Sequence, residues 1–304
     1  MGIALNTLLM LIVAISITGV INRCRALLAG RKGLPFFQHI YNVRLLLRKG
    51  AVYSTTTTAL FRIAPAVYLG SAIVAMLFIP VADLYPLISF EGDVICFAYL
   101  LALGRFSLIL AAMDTGSSFE GMGASREALY GALIEPAIMI GFATLAMFCG
   151  YTSLADIFAH EQSFNLHLTI VMLLTAYLFI KIAFVESGRV PVDDPRTHLE
   201  LTMIHEVICL DYCGVDMAMI QIAGWLKTAS ISMLAANAIA ATGCFHWWFA
   251  TPLAILLTGL SVGIVESTQA RNKLVRNTTF IVTISALAAL IFFIGYLLQL
   301  NINI

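Results

Sequence analysis

Eight stretches of this chain are each apolar for about 20 residues, the length that a helix needs to cross the hydrocarbon core of a bilayer. Mean hydropathy is +0.94 and only 11% of the residues are charged, against roughly 25% in soluble domains. Neither a repeat nor a low-complexity linker divides the sequence, which therefore predicts one all-α integral membrane domain over residues 1–304. The predicted transmembrane helices are 3–22, 62–82, 93–113, 127–149, 166–185, 221–243, 247–266 and 279–299.

Lysine and arginine are distributed unevenly among the loops. The loops after the first, third, fifth and seventh spans are basic, whereas those after the second, fourth and sixth contain neither residue. By the positive-inside rule, the basic loops are cytoplasmic and both termini lie on the outer side of the membrane. The formal net charge is zero, so the total charge gives no indication of a nucleic-acid partner.

The first basic loop is too polar to cross the membrane. From Pro35 to Leu47 its apolar residues recur at three- and four-residue steps, which predicts an amphipathic helix in the membrane interface. The loop is either a basic tether that contacts lipid headgroups or a docking surface for a cytoplasmic partner, and its residues leave both interpretations open.

The cysteines and histidines do not form a metal-binding pattern. Six cysteines occur, with no CxxC pair and no four-fold grouping of the kind that holds iron–sulfur clusters or zinc. His198 and His205 are seven residues apart, whereas a zinc-binding pair on one helix is four apart. The sequence therefore predicts no metal or redox centre on this chain.

Charged side chains inside a membrane cost about 2.5–3.5 kcal/mol each to insert, so each one is a candidate for function. Glu127 and Glu135 are eight residues apart, which places them near one helix face and about 12 Å apart along the axis. They are candidate proton stations; the alternative is a structural ion pair with Arg105 or Lys181. Two further charges are Lys227, near the start of the sixth span, and Glu266, at the end of the seventh.

The loop after the fifth span concentrates the charge of the chain. The stretch VESGRVPVDDPRTHLELTMIHE at 185–206 contains two prolines, which are expected to end the fifth helix. A new helix is expected from about Arg196, with Glu200, Val207 and Asp211 on one stripe.

This stretch and several others resemble a known family. The segment FVESGRVPVDDPRTHLELTMIHEVICLDYCG resembles the third cytoplasmic loop of the membrane subunit of energy-converting group 4 nickel–iron hydrogenases, which is homologous to respiratory complex I subunit 1. MDTGSSFEGMGASREALYGALIEP resembles the hydrogenase branch, which includes formate hydrogenlyase and hydrogenase-4, and FRIAP, RKGLPFFQ and VESTQAR match in the same order. Arg196 and His198 stand where the family has acids, so the chain resembles a divergent member.

The resemblance implies a non-catalytic subunit that anchors a cytoplasmic redox module and couples it to proton or sodium translocation. It implies large and small hydrogenase-like cytoplasmic subunits carrying iron–sulfur clusters, with or without a nickel–iron centre. It also implies antiporter-like membrane subunits and the cytoplasmic membrane of a bacterium or archaeon. The implied proton pathway is Glu127, Glu135, Glu186, Glu200, Glu206, Asp211, His198 and His205, tuned by Arg105, Arg126, Lys181, Lys227 and Glu266. The implied docking residues are Arg23, Arg25, Arg31, Lys32, Gln38, Arg62, Asp114, Arg189 and Asp193.

Three alternatives differ from this interpretation. The chain could be a quinone-reducing complex I subunit 1, although DTGSSF and GASRE favour the hydrogenase branch, for which we expect no bound quinone. A stand-alone proton- or cation-linked transporter predicts an inverted repeat with broken helices in matching halves, and the sequence has neither feature. A membrane anchor without coupling would tolerate neutralisation of its glutamates.

Overall fold

The computed structural model describes residues 2–81, 84–159, 166–193, 203–242, 247–270 and 274–302. Within these ranges the regular structure is helical apart from one isolated bridge between Val81 and Leu84, which confirms the predicted all-α membrane fold. The helices are α1 (Gly2–Leu28), α2 (Gln38–Leu46), α3 (Ala59–Leu77), α4 (Asp93–Asp114), α5 (Ser118–Cys149), α6 (Leu154–Ala159), α7 (Leu166–Glu186), α8 (Gly214–Ala240), α9 (Ala250–Thr268) and α10 (Leu274–Ile302). Short 3-10 helices occur at Val207–Cys209 and Trp247–Phe249.

Each of the eight predicted spans lies on a long helix. Seven of these helices are long and apolar enough to cross a membrane, namely α1, α3, α4, α5, α7, α9 and α10. The eighth, α8, has 27 residues and is less apolar because it carries buried polar groups such as Asp216, Lys227 and Asn237. These polar groups face the protein interior, where other helices can supply partners for them.

Helix α8 is the central helix of the bundle, with α1, α3, α7 and α9 packed around it. Small residues allow neighbouring helices to approach closely. A Cβ atom at Gly104 of α4 would lie 2.5 Å from Ser71 Oγ of α3, and one at Gly259 of α9 would lie 2.8 Å from Val20 Cγ1 of α1. Close contacts of this kind are typical of helix association in membranes, where burial of apolar surface drives little packing.

Two helices begin earlier than their apolar segments. The fourth span was predicted from residue 127, but α5 begins at Ser118, so Glu127 lies well inside the helix. Likewise, α8 begins at Gly214, which places Lys227 near the middle of its helix and corrects the expectation of a position near the start. Hydropathy alone does not detect these first turns, because they contain polar residues.

The predicted amphipathic helix of the first loop is present as α2. His39 on α2 packs edge-on against Trp225 of α8, with 4.8 Å between ring centroids. Burial lowers the pKa of His39 below its usual value. Beside the helix, the Phe36 ring lies where a Cβ at Gly19 of α1 would come within 2.8 Å of it. The helix is therefore fixed against the bundle on one face.

The basic loops meet at one end of the bundle, called here the basic end, which carries residues 29–58, 115–117, 187–213 and 269–270. Asp114 at the end of α4 accepts hydrogen bonds from the Thr58 backbone N–H at 2.7 Å and hydroxyl at 2.9 Å. The Tyr53 hydroxyl donates to Asp216 of α8 at 2.7 Å. These contacts tie the first and fifth loops together, as their shared side in the predicted topology requires.

The helix expected from Arg196 to Asp211 is wrong where it can be checked. Residues 194–202, which include His198 and Glu200, lie outside the described ranges. From Met203 to Cys213 the chain forms turns around a single 3-10 helix, Val207–Cys209, so no α-helical stripe joins Val207 to Asp211. The expected end of the fifth span is confirmed, because α7 stops at Glu186.

Candidate functional site

Arg105 is buried in the middle of α4 with a side chain 6% exposed, and it contacts three carboxylates. Its Nη1 donates to Glu135 Oε1 at 2.9 Å, Nη2 donates to Glu186 Oε1, and Nε lies 3.1 Å from Glu127 Oε1. Glu127 and Glu135 are on α5, and Glu186 is the last residue of α7. One guanidinium therefore joins three helices, using the several donors that arginine presents in a fixed plane.

Lys227 of α8 completes the cluster. Its Nζ lies 2.7 Å from Glu186 Oε2, so the Glu186 carboxylate is held between two cations. The ammonium also lies over the Tyr68 ring, 5.6 Å from its centroid. We call Arg105, Glu127, Glu135, Glu186 and Lys227 the buried ion cluster.

Gly131 creates the space for the arginine. It lies between Glu127 and Glu135 on α5, and a Cβ atom there would be 2.8 Å from both Cδ and Nη1 of Arg105. Glycine lets the guanidinium lie flat against α5 and reach both carboxylates. The sequence contains this glycine within REALYGALIEP, but its role depends on a contact with another helix.

His205 links the cluster to the fifth loop. Its Nε2 lies 3.8 Å from Glu127 Oε2, and its Nδ1 lies 3.7 Å from Asp193 Oδ2. Both distances exceed that of a hydrogen bond, so the contacts are electrostatic. The buried Asp193 carboxylate also accepts the backbone N–H groups of Ile204 at 3.0 Å and His205 at 2.9 Å.

The two loop residues shift each other's protonation. Burial favours neutral imidazole, but the Glu127 and Asp193 carboxylates outweigh it and raise the pKa of His205. Burial likewise favours neutral Asp193, but His205 and the two backbone N–H groups outweigh it and lower the pKa of Asp193. The pair therefore favours a charged imidazolium beside a carboxylate.

Two cavities adjoin the cluster from the basic end. A cavity of about 340 Å³ has a lining that extends from the exposed Glu206 to the buried Glu186, with His205 between them. A smaller cavity of about 60 Å³ is lined by Arg105, Glu127, His205, Lys227, Tyr68 and Cys209, among others. Since one water needs about 10–15 Å³, each cavity has room for several.

A groove of about 670 Å³ lies on the opposite side of the cluster, between α4 and α5. Glu135 contributes to its lining with a side chain that is 40% exposed, and the exposed Tyr99, Leu103 and Phe106 surround it. The buried ion cluster therefore extends from the cavities near the fifth loop to the outer face of the bundle.

Other predicted residues lie outside this cluster. Glu266 pairs with Arg25 at 2.6 Å and Arg189 at 3.1 Å at the basic end, and Lys181 lies over the rings of Tyr177, Phe184 and Phe280 at 5.3–5.9 Å. Arg126 donates to the Met203 carbonyl at 2.9 Å and thus holds the fifth loop. Among the docking candidates, Arg23 donates to the Lys32 carbonyl, Gln38 to Asn42, and Arg62 lies over Tyr53; Arg31 is exposed.

Two buried acids were not among the predicted residues. Asp93 accepts the Leu154 N–H at 2.7 Å and the Ser153 hydroxyl at 3.0 Å. Glu120 accepts the Asp211 N–H at 3.1 Å. The spacing of seven between Glu120 and Glu127 would have placed both on one face, had the helix been predicted from Ser118. No group of three metal-binding side chains occurs in the portion of the chain that the structure describes.

The sequence matches the NADH dehydrogenase family over residues 1–297. Hydrogenase-4 component C of Escherichia coli is 30% identical over 266 residues, covering 84% of this chain and 83% of that protein. Formate hydrogenlyase subunit 4 of the same organism is 29% identical over 197 residues, covering 65% of this chain and 64% of that protein. An NADH-quinone oxidoreductase subunit of Ehrlichia chaffeensis is 25% identical over 235 residues, or 73% and 62% of the two chains.

A solved structure has the same fold. A chain of the membrane-bound sulfane sulfur reductase, an archaeal respiratory membrane complex, superposes with a TM-score of 0.73. The match covers 96% of this chain and all of that chain, at 21% sequence identity.

Proposed function

The chain belongs to the NADH dehydrogenase family, and on that premise we propose that it is the membrane subunit of a complex I-like or hydrogenase-4-like respiratory complex. It anchors the cytoplasmic redox subunits and couples their electron transfer to translocation of protons or sodium ions. The observation that carries this proposal is the contact of one buried arginine with three glutamates.

The charge balance of the buried ion cluster supports a coupling role. Two cations face three carboxylates, and His205, the next titratable group, lies 3.8 Å from Glu127. Ions are costly to bury unless they are paired, so a change of charge at His205 alters the protonation that is favoured at Glu127. A structural ion pair would need only one acid for each base.

The proposed pathway has an inlet and an outlet. Protons enter from the basic end through the cavity between Glu206 and Glu186, and His205 with Asp193 responds to the state of the redox partner. They continue through the 60 Å³ cavity to Glu127 and then to Glu135, which faces the groove between α4 and α5. His198 and Glu200 remain candidates on this pathway.

The partners would occupy two surfaces. The basic end, with α2 and the fifth loop, would receive hydrogenase-like large and small subunits that carry iron–sulfur clusters, with or without a nickel–iron centre. The groove beside Glu135 would receive an antiporter-like membrane subunit, because a carboxylate 40% exposed to lipid needs a polar cover. Under the positive-inside orientation, the basic end is cytoplasmic and both termini lie outside.

Quinone reduction is a second candidate function. The 340 Å³ cavity is within the size range of small-molecule sites, and Tyr68 and Trp225 contribute aromatic surface to it. The greater identity to the hydrogenase-type relatives favours a cavity filled with water. Saturable binding of a quinone analogue to the purified complex, abolished by filling the cavity with Gly224→Leu, would favour quinone.

The test is to purify the tagged chain from its native membranes, identify the proteins that accompany it, and reconstitute the complex in liposomes. We expect cytoplasmic redox subunits and other membrane subunits to co-purify, and ion uptake to follow addition of the electron donor. Uptake should stop with an ionophore while electron transfer continues. A lone oligomer, or electron transfer without ion movement, would contradict the proposal.

A further inference from the structure

Glu120 is a carboxyl that the buried ion cluster does not use. It lies in the first turn of α5 with 0% exposure, and its Oε1 accepts the Asp211 backbone N–H at 3.1 Å. Its other oxygen, Oε2, has no hydrogen-bond partner among the residues that the structure describes. A carboxyl that served only to hold the Asp211 turn would need one oxygen, so the second requires an explanation.

The surroundings of Glu120 favour the neutral acid. The neighbouring groups that act on it are the Thr115 hydroxyl and the Asp211 carboxylate, neither of which is a cation. Burial of an ionised carboxylate without a compensating charge is expensive, whereas a neutral acid is buried at much lower cost. Glu120 can therefore hold a proton next to Asp211, which is exposed to solvent.

Glu120 and Glu127 lie on the same face of α5. They are two helical turns apart, about 10 Å along the axis. Between them the fifth loop sits directly on the helix, because a Cβ atom at Gly123 would be 3.1 Å from side-chain carbons of both Val207 and Ile208.

The same turn forms a wall of the 60 Å³ cavity that contains Glu127. Ile208 and Cys209 line this cavity, so only one turn of the chain separates Glu120 from it. Burial, together with the charges of Glu120, Glu206 and Glu127, raises the pKa of the Cys209 thiol to about 12. The thiol therefore stays protonated and adds no charge to the space between the two glutamates.

We propose that Glu120 is a second proton entry, which takes a proton from the solvent at Asp211 and passes it through cavity waters to Glu127. The distance along the helix is too long for one hydrogen bond, and the cavity has room for bridging waters. Each transfer breaks one O–H bond and forms another, and Glu120 regains its proton from the Asp211 side. This inference rests on the proposed coupling function and adds an entry separate from the one at His205.

The test uses the reconstituted complex with Glu120→Gln, which keeps an oxygen for the Asp211 N–H but cannot carry a proton. We expect redox-driven proton uptake to fall about tenfold, within the range for loss of a positioned proton-transfer group. Electron transfer in the presence of an ionophore should be unchanged. Glu91→Gln is the matched control, because Glu91 is exposed in the loop before α4.

Infrared spectroscopy distinguishes a proton carrier from a structural tie. The wild-type complex should show a protonated-carboxyl band that shifts in heavy water, is lost in Glu120→Gln and persists in Glu91→Gln. Glu120→Asp and Glu120→Ala are made in parallel, and the aspartate should recover part of the uptake that alanine loses. Failure of all three variants to assemble would identify Glu120 as a structural tie and overturn the proposal.

The remaining outcomes separate this inference from the coupling function. If the wild type pumps, Glu127→Gln stops pumping and Glu120→Gln pumps at the wild-type rate, Glu120 is not an entry and the coupling proposal stands. If wild-type electron transfer moves no ions, the coupling proposal fails, and the entry proposal fails with it.

Discussion

Lys227 on α8 holds one oxygen of Glu186 at 2.7 Å, while Arg105 on α4 binds the other oxygen. The carboxylate at the end of α7 thus joins two helices that meet at the centre of the bundle. This contact stabilises the bundle and also fixes the charge against which Glu127 and His205 titrate.

Replacement of Lys227 by methionine removes one of the two cations around Glu186. We expect a loss of stability on the order of 3 kcal/mol, because breaking a buried ion pair leaves a charge without compensation. Thermal unfolding of the purified complex measures it. The control is Lys181→Met, which removes contacts with aromatic rings worth about 1 kcal/mol. Equal unfolding midpoints for the two variants would contradict the assigned role of Lys227.

Gly131→Ala should disrupt the cluster from the helix side. The added Cβ would lie 2.8 Å from Arg105, so the guanidinium must move away from Glu127 or Glu135 and coupled ion uptake should fall. Gly121→Ala is the matched control on the same helix, since a Cβ there meets nothing within 4 Å. That change should stabilise α5 by up to about 1 kcal/mol through helix propensity alone. Identical uptake by the two variants would contradict the packing argument.

The His205–Asp193 pair predicts a pH dependence of stability. The pKa of His205 is raised in the fold, so its contribution is complete below the unfolded value of 6.5 and is lost as pH rises through the folded value. The pKa of Asp193 is lowered, so its contribution is present above 3.8 and is lost as pH falls through the folded value.

Thermal unfolding of the complex between pH 5 and pH 9 checks this prediction. The wild type should lose stability as pH rises above about 6.5, and His205→Gln should show a flatter profile. His167→Gln, at the other end of α7, is the control and should keep the wild-type profile. A wild-type slope that survives in His205→Gln would show that another group is responsible.

The sequence was sufficient for the architecture and for part of the site. Apolar stretches of about 20 residues located the long helices, and the spacing of eight placed Glu127 and Glu135 on one face, where Arg105 contacts both. These features depend on helix periodicity and insertion cost, which are local properties. The pairing of Lys227 with Glu186 depends on how distant helices pack, so it could not be derived from spacing.

The fifth loop shows why the expected helix from Arg196 failed between Met203 and Asp211. Backbone groups that a helix would satisfy are instead bound by side chains from elsewhere. Asp193 accepts from Ile204 and His205, Glu120 accepts from Asp211, and Arg126 donates to the Met203 carbonyl. Such long-range partners override the local pattern of polar and apolar residues.

The central claim is that the buried ion cluster carries the translocated ion, and Glu127, which touches both Arg105 and His205, is its most direct probe. The decisive measurement is the number of ions moved per electron by Glu127→Gln complexes in liposomes, compared with Glu91→Gln. The account predicts that this ratio falls to near zero in Glu127→Gln while electron transfer with ionophore persists. An unchanged ratio in an assembled Glu127→Gln complex would contradict it.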